Sequence, residues 1–381
     1  MKGFSLSVGL PGAPLHAAAH SHHPWPDVSF AAQQQAWRDA ATMLDNKWDH
    51  VFGAVIPRAQ THIARILSLP DPSTIAFAPN THDLVMRILS CFEPGKRLRV
   101  LTTDSEFLSF TRQMARWEED GLVAVTRIPT EPFESFEKRF AKAASDNTHD
   151  LVFLSQVFFN SGSAIRDLKA IVAAVLNRET FVVIDGYHGF MAVPTDISTI
   201  ASRAFYLAGG YKYAMAGEGV CFLHCPPGYG PRPRDTGWYA GFSALESQDA
   251  GVPYAKDGSR FLGATFDVSA LYRFNAVQDW LRNEGLSVAS MLARVRELEH
   301  GLLDSLDRRN GAVGASQLAL ADDVKRGRFL AFRTNQAGRI ASDLAAKHII
   351  VDHRADRLRI GLGIYHDEDA VTRLAAAIAG G

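Results

Sequence analysis

The sequence predicts an α/β protein: a large unit with a mixed, mostly parallel sheet between helices, followed by a smaller α+β unit. Three observations carry this expectation. From about residue 74 to 225, short apolar runs alternate with helical patterns, the arrangement that builds a parallel sheet covered on both faces. The runs themselves, TIAFA, RLRVLTT, LVFLSQ, TFVVID, AFYLA and GVCFLHC, have the length of buried strands. After a Pro/Gly-rich connector, PPGYGPRPRDTGWYAGF, the pattern becomes helix, strand, helix, strand, strand, helix.

The elements follow in order. After a proline-punctuated start, AAQQQAWRDAATMLDNKWDHVFGAV and RAQTHIARILSL show helical spacing. Trp37, Met43 and Trp48 are expected to face a core, with Pro57 separating the two helices. PNTHDLVMRIL reads as a helix capped by Asn80 or Thr81, its residues Leu84, Val85, Ile88 and Leu89 turned inward. Near the end, GRFLAFRT, HIIVDHRAD and RLRIGLGIY are expected to form a small sheet. The expected division is an N-terminal segment lining the site (1–30), a large domain (31–262) and a small C-terminal domain (263–381), the boundary falling between 255 and 270.

Composition narrows the function. The formal charge is −1, with 40 basic against 41 acidic residues and no long basic run, which favours small-molecule chemistry over a nucleic-acid or membrane surface. No apolar stretch has the length of a membrane span. The three cysteines, Cys91, Cys221 and Cys225, fit a reducing compartment, and the cytoplasm is the expected location. No second ligand pair accompanies Cys221 and Cys225, and His20, His22 and His23 lack a nearby carboxylate pair, so no metal site is expected.

In open α/β sheets ligands bind beyond the carboxyl ends of the strands, which makes the residues after each run a list of site candidates. Lys212 stands out in LAGGYKYAMAGEG as a lysine isolated among Gly, Ala and Tyr just past an apolar run. A desolvated lysine loses its proton readily and can form a Schiff base. Asp185 closes TFVVID, with His188 three residues on, and a carboxylate there requires a cationic partner. Thr81 opens a helix whose N-terminus suits a phosphate. Phe107 and Ser109 follow one strand, and Ser155 and Asn160 follow or close another. Each feature alone has a plainer reading as a surface lysine, a structural ion pair, a helix cap or packing. Together they match pyridoxal 5'-phosphate, which needs an amine, a carboxylate at its ring nitrogen, an anion site and a ring cover.

Five motifs extend the match: FVVIDGYH, GGYKY, DTGWY, EFLSF and RLRIGLGIYH. With them the chain resembles the fold-type I, class V group of pyridoxal-phosphate enzymes, and within it the kynureninase-like branch, from about residue 15 to the end. The resemblance implies catalytic roles for Lys212, Asp185 and His188, which would hold the cofactor's aldehyde carbon, ring nitrogen and phenolic oxygen. Tyr211 and Trp238 would contact the phosphate, Phe107 would stack on the ring, and Thr81, His82, Ser109 and Ser155 would complete the cofactor site. Arg359 would clamp a substrate carboxylate, with His20, Ser21 and His22 beside the substrate. Thr265 would reach the phosphate of a partner subunit, which implies a homodimer with sites at the interface.

Two departures bear on the reaction. Phe107, Leu108, Ser109 and Phe110 stand where the family has Phe-Pro-Ser-Asp, so the acidic member is absent, and AAHSHHPWPDV replaces a Gly-Asn-Ser-Leu-Gly-like segment. The expected activity is aminotransferase-like, on an α-amino acid. The alternatives are a kynureninase-type hydrolase, a β-lyase, and a retired scaffold that binds cofactor without turnover. Desulfuration through a protein thiolate is disfavoured because no cysteine follows Cys225.

Overall fold

All six apolar runs expected as strands enter one seven-stranded sheet. The computed structural model describes residues 3–146, 148–228, 231–244 and 251–380; Tyr229 and Gly230 of the expected connector lie outside the described residues. Across the sheet the strands run Ile75–Ala78, Cys221–His224, Ala204–Gly209, Phe181–Asp185, Leu151–Ser155, Leu98–Thr103 and Val123–Ile128. Cys221–His224 runs against the direction of the other six. Five of the seven are buried along almost their whole length because helices cover both faces, which is why they read as continuous apolar runs.

The seventh strand, Val123–Ile128, was not expected. It pairs with Leu98–Thr103 at the sheet edge, where Arg127 points to Glu118 and only Val123 is buried. A half-exposed edge strand carries no apolar run.

Two expectations in the N-terminal helices need correction. Trp37 does not face a core: it is 73% exposed on the helix Val28–Met43. That helix packs on Ser269–Asn283 through a polar face, where Asp39 accepts a hydrogen bond from Tyr272 Oη at 3.0 Å. Nor does Pro57 separate two helices. The chain stays helical from Lys47–His50 through a π turn, Val51–Val55, into Ile56–Leu67. Pro57 lies in the first turn of that last segment, where the missing N–H is tolerated.

The main core surrounds the large sheet and takes in Ser269–Asn283, Met291 and Tyr365; a second core gathers Leu15 and Ala17 with residues from Val295, in the helix Val288–Arg308, to Ile378. Ser269–Asn283 thus packs on the main core. Of the three C-terminal runs, Leu330–Arg333, Asp352–Arg354 and Arg357–Ile360 form an antiparallel sheet. Ile349–Ile350 instead pairs in parallel with Leu15–His16, and Ala18 bridges Gly361. These pairings carry the N-terminal segment between the two units and place residues 18–23 beside the ends of the large sheet's strands. Among the described residues no helix is long and apolar enough to cross a membrane.

The stacked pair Phe110 and Phe153, with ring centroids 3.7 Å apart, ties a covering helix to the centre of the sheet. Both rings are buried. Phe153→Ala should therefore cost about 3–5 kcal/mol, read as a lowered denaturant midpoint with an unchanged slope.

Candidate active site

At the carboxyl edge of the parallel strands lies a cavity of about 410 Å³. Each strand from Ile75–Ala78 to Ala204–Gly209, except Val123–Ile128, delivers residues to it: Asn80, Thr81 and His82 from the first, Phe107 and Ser109 after Leu98–Thr103, Ser155 and Phe159 at and after the end of Leu151–Ser155, Asp185, Tyr187 and His188 at and after the end of Phe181–Asp185, and Tyr211 and Lys212 after Ala204–Gly209. Cys221 starts the antiparallel strand and so reaches the same edge. Gly209 permits this convergence, because a Cβ there would lie 2.6 Å from Cys221 Sγ and 2.8 Å from the Tyr187 ring.

Lys212 is at the centre. Its Nζ lies 2.8 Å from His188 Nε2 and donates to the carbonyl of His20 at 3.2 Å. The rings of Phe107 and Tyr187 lie 5.9 and 5.7 Å from it. Burial, reinforced by the Arg359 charge, pulls the ammonium down to about 7, while Asp185 and Asp352 oppose the fall. The same burial holds the His188 imidazole well below its ordinary value, with Lys212 adding to the effect. Near pH 7 a neutral imidazole thus sits beside an amine that has lost part of its charge.

Asp185 is pushed up to about 6 by burial, against the pull of the Tyr187 backbone N–H, which it accepts at 2.8 Å, and of Lys212. Across the cavity Asn80 caps the helix Thr81–Leu89, its Oδ1 accepting from Asp83 N at 2.9 Å, and Asn80, Thr81 and His82 line the space. The four apolar residues expected on the inner face of that helix are all buried.

Other expected residues lie off the cavity wall. Arg359 is buried, bonded through one arm to Asp352 and through the other to the carbonyl of Phe159. His20 is stacked on Phe329 and offers Lys212 its carbonyl, not its ring. Ser21 is half-buried in the turn after Ala18, and His22 is exposed with its ring against Tyr211. Trp238 and Thr265 are brought together, Nε1 donating to Oγ1 at 3.2 Å, but neither lines the cavity. Among the described residues no group of three or more His, Cys, Asp or Glu is placed to hold a metal ion.

Sequence reasoning missed Glu106. It is buried, accepts from Ser155 Oγ and Thr103 Oγ1, both at 2.6 Å, and is raised to about 7 by burial, with Asp185 adding to the rise. It fixes Ser155 in the cavity wall. The argument applied to Asp185, a carboxylate just beyond a buried strand, applies equally to Glu106. Tyr187 was also missed, although it lies between Asp185 and His188.

Fold and cleft together define an α/β protein whose cavity holds a buried amine flanked by a histidine and a carboxylate. The family model described as "Aminotransferase class-V" matches residues 45–374, and the chain belongs to that family. Over 180 residues it is 27% identical to an isopenicillin N epimerase from Streptomyces clavuligerus, a match covering 46% of this chain and 44% of that protein. The chain thus spans less than half the length of that relative. A probable cysteine desulfurase of Vibrio cholerae serotype O1 is 22% identical over 341 residues, 84% of this chain and 81% of the relative. Among solved structures, a complex of the cystine C-S lyase C-DES with its product cysteine persulfide superposes with a TM-score of 0.80 at 17% identity, covering 97% of this chain and 98% of the other. That likeness is one of fold.

The cofactor is pyridoxal 5'-phosphate, and the residues present fit it. Lys212 would supply the amine, Asp185 a buried carboxylate for the ring nitrogen, the start of Thr81–Leu89 an anion site, and Phe107 a ring at the wall. Among the described residues His188 Nδ1 is buried with no hydrogen-bond partner, a polar atom still to be satisfied on a residue that lines the cavity. One prediction concerns Lys212 directly. Because its amine is depressed from 10.5 to about 7, its neutral, nucleophilic form grows in as pH rises through 7. Labelling of Lys212 in cofactor-free protein by an amine-directed reagent should follow that midpoint; a midpoint near 10.5 would contradict the desolvated placement.

Proposed function

We propose that the chain is a lyase acting on an α-amino acid, in which Lys212 removes the α-proton and a bond at the β-carbon then breaks. The observation that carries this reading is the 2.8 Å pair of Lys212 Nζ and His188 Nε2. A base that takes a proton from carbon must pass it on if a leaving group is to depart as a neutral species, and a second nitrogen within hydrogen-bond reach offers the route. Pyridoxal phosphate, when bound, supplies an electron sink that acidifies the α-carbon. Asp185 would keep a proton at the ring nitrogen, the start of Thr81–Leu89 would hold the phosphate, and Phe107 and Tyr187 would screen the Lys212 amine from water.

The C-S lyase and desulfurase among the similar proteins support a lyase over the aminotransferase-like activity expected from the sequence. A persulfide carried on this chain gains no support, since Cys221 is the only cysteine on the cavity wall and burial pushes its thiol up to about 12. The sulfur or other leaving group would depart to solvent. A screen of amino acids bearing a β-substituent tests the reading through its products. A lyase releases ammonia and a 2-oxo acid with no co-substrate. Alanine as product would mean a kynureninase-type hydrolase, a requirement for added 2-oxo acid without ammonia would mean an aminotransferase, and no turnover would mean a retired scaffold.

The reading includes a homodimer. Phe107 and Leu108 are exposed beside the cavity, and Phe30, Trp37 and Leu44 recur every seven residues at the surface of the N-terminal helix and its end, apolar positions that a second copy would cover. Sedimentation should give twice the chain mass; a fully active monomer would contradict this.

A further inference from the structure

Arg359 and Asp352 are cross-strand partners in the hairpin formed by Asp352–Arg354 and Arg357–Ile360. The guanidinium is 3% exposed, and both of its terminal nitrogens are engaged: Nη2 with the Asp352 carboxylate, Nη1 with the carbonyl of Phe159. Asp352 Oδ2 also lies 3.7 Å from His20 Nε2. The pair is directly behind the reactive centre, for Phe159 lines the cavity and the His20 carbonyl receives the Lys212 ammonium. Arg359 itself is absent from the cavity wall.

A buried guanidinium requires an anionic partner, and its planar fork takes one carboxylate at a time in bidentate form. Asp352 holds Nη2, the nitrogen that both two-pronged edges of the fork share, so no second carboxylate can take either edge while it stays. Resting on the reading of the chain as an amino-acid enzyme, we propose that Asp352 is a specificity-determining residue, an internal carboxylate that occupies the Arg359 fork and that a ligand's carboxylate must displace in order to bind. A simple carboxylic acid meets this competition with no compensating contact. An amino acid offsets it through its amine at the Lys212 position, so the site selects ligands that carry both groups.

The test is calorimetric titration of the holoenzyme with propionate and with propylamine, which separate the two groups. Asp352→Asn keeps the shape and removes the competing charge. Propionate should then bind at least tenfold tighter than to wild type, with propylamine unchanged. In Asp352→Asn combined with Arg359→Ala the gain should vanish, because the effect runs through the guanidinium. Unchanged propionate affinity in a folded Asp352→Asn protein, or a gain that survives loss of Arg359, would overturn the proposal. Should Asp352→Asn fail to fold, Arg359→Ala alone decides: propionate binding, already blocked in wild type, should change less than twofold, whereas a tenfold loss would show an open fork. The amino-acid reading fails on a different result, namely no response of the wild-type cofactor absorbance to any amino acid.

Discussion

Lys212→Ala should lose turnover by about a thousandfold or more while the protein stays folded and still takes up cofactor. A positioned base is worth about 10²–10⁴ in rate, and on the proposed reading Lys212 would also hold the cofactor's aldehyde carbon, so one substitution would remove two functions. The neighbours do not replace it. His188 Nε2 is 2.8 Å away, but it is itself neutral and fixed by burial, and it has no amine to offer. Retention of cofactor should persist, since the anion site on Thr81–Leu89 and the wall at Phe107 are untouched. The measurement is steady-state rate beside cofactor content. A variant within tenfold of wild type would mean that another base serves the α-carbon.

Asp185→Asn should lower kcat by about a hundred- to a thousandfold, because an amide cannot hold a proton at the ring nitrogen where charge develops. The same change should act in the opposite direction on the cofactor-free protein. The Asp185 carboxyl is raised from 3.8 to about 6 on folding, so as pH rises across that interval the unfolded chain gives up its proton while the folded one retains it, and stability falls. By pH 7 the full penalty is present. Removing the charge should therefore raise the Tm of cofactor-free protein at pH 7, while at pH 3 the two proteins should differ little. A lowered Tm at pH 7 would show that Asp185 is a structural partner first.

The parts of the site legible in the sequence share one property: each follows a buried strand. Asp185, Lys212, Thr81 and Phe107 could be placed because a continuous apolar run marks a strand of the parallel sheet and its end marks the edge where ligands bind. Where that signal fails, so does the reading. Val123–Ile128 is half-exposed and carries Arg127, and hence has no apolar run. Trp37 follows helical spacing but lies on the outer face, because the inner face is held by the polar Asp39–Tyr272 contact. The role of His20 rests on a backbone carbonyl, which no side-chain pattern reports. The pairing of Asp352 with Arg359 depends on the register of a hairpin, and seven residues of separation say nothing of register.

The central claim is that Lys212 is the amine at which the chemistry occurs. Borohydride reduction of the holoenzyme, followed by proteolysis and mass spectrometry, tests it most directly. The account predicts loss of the cofactor's visible absorbance and a pyridoxyl label on the peptide that contains Lys212. A label on any other lysine, or reduction that leaves no lysine labelled, would contradict it.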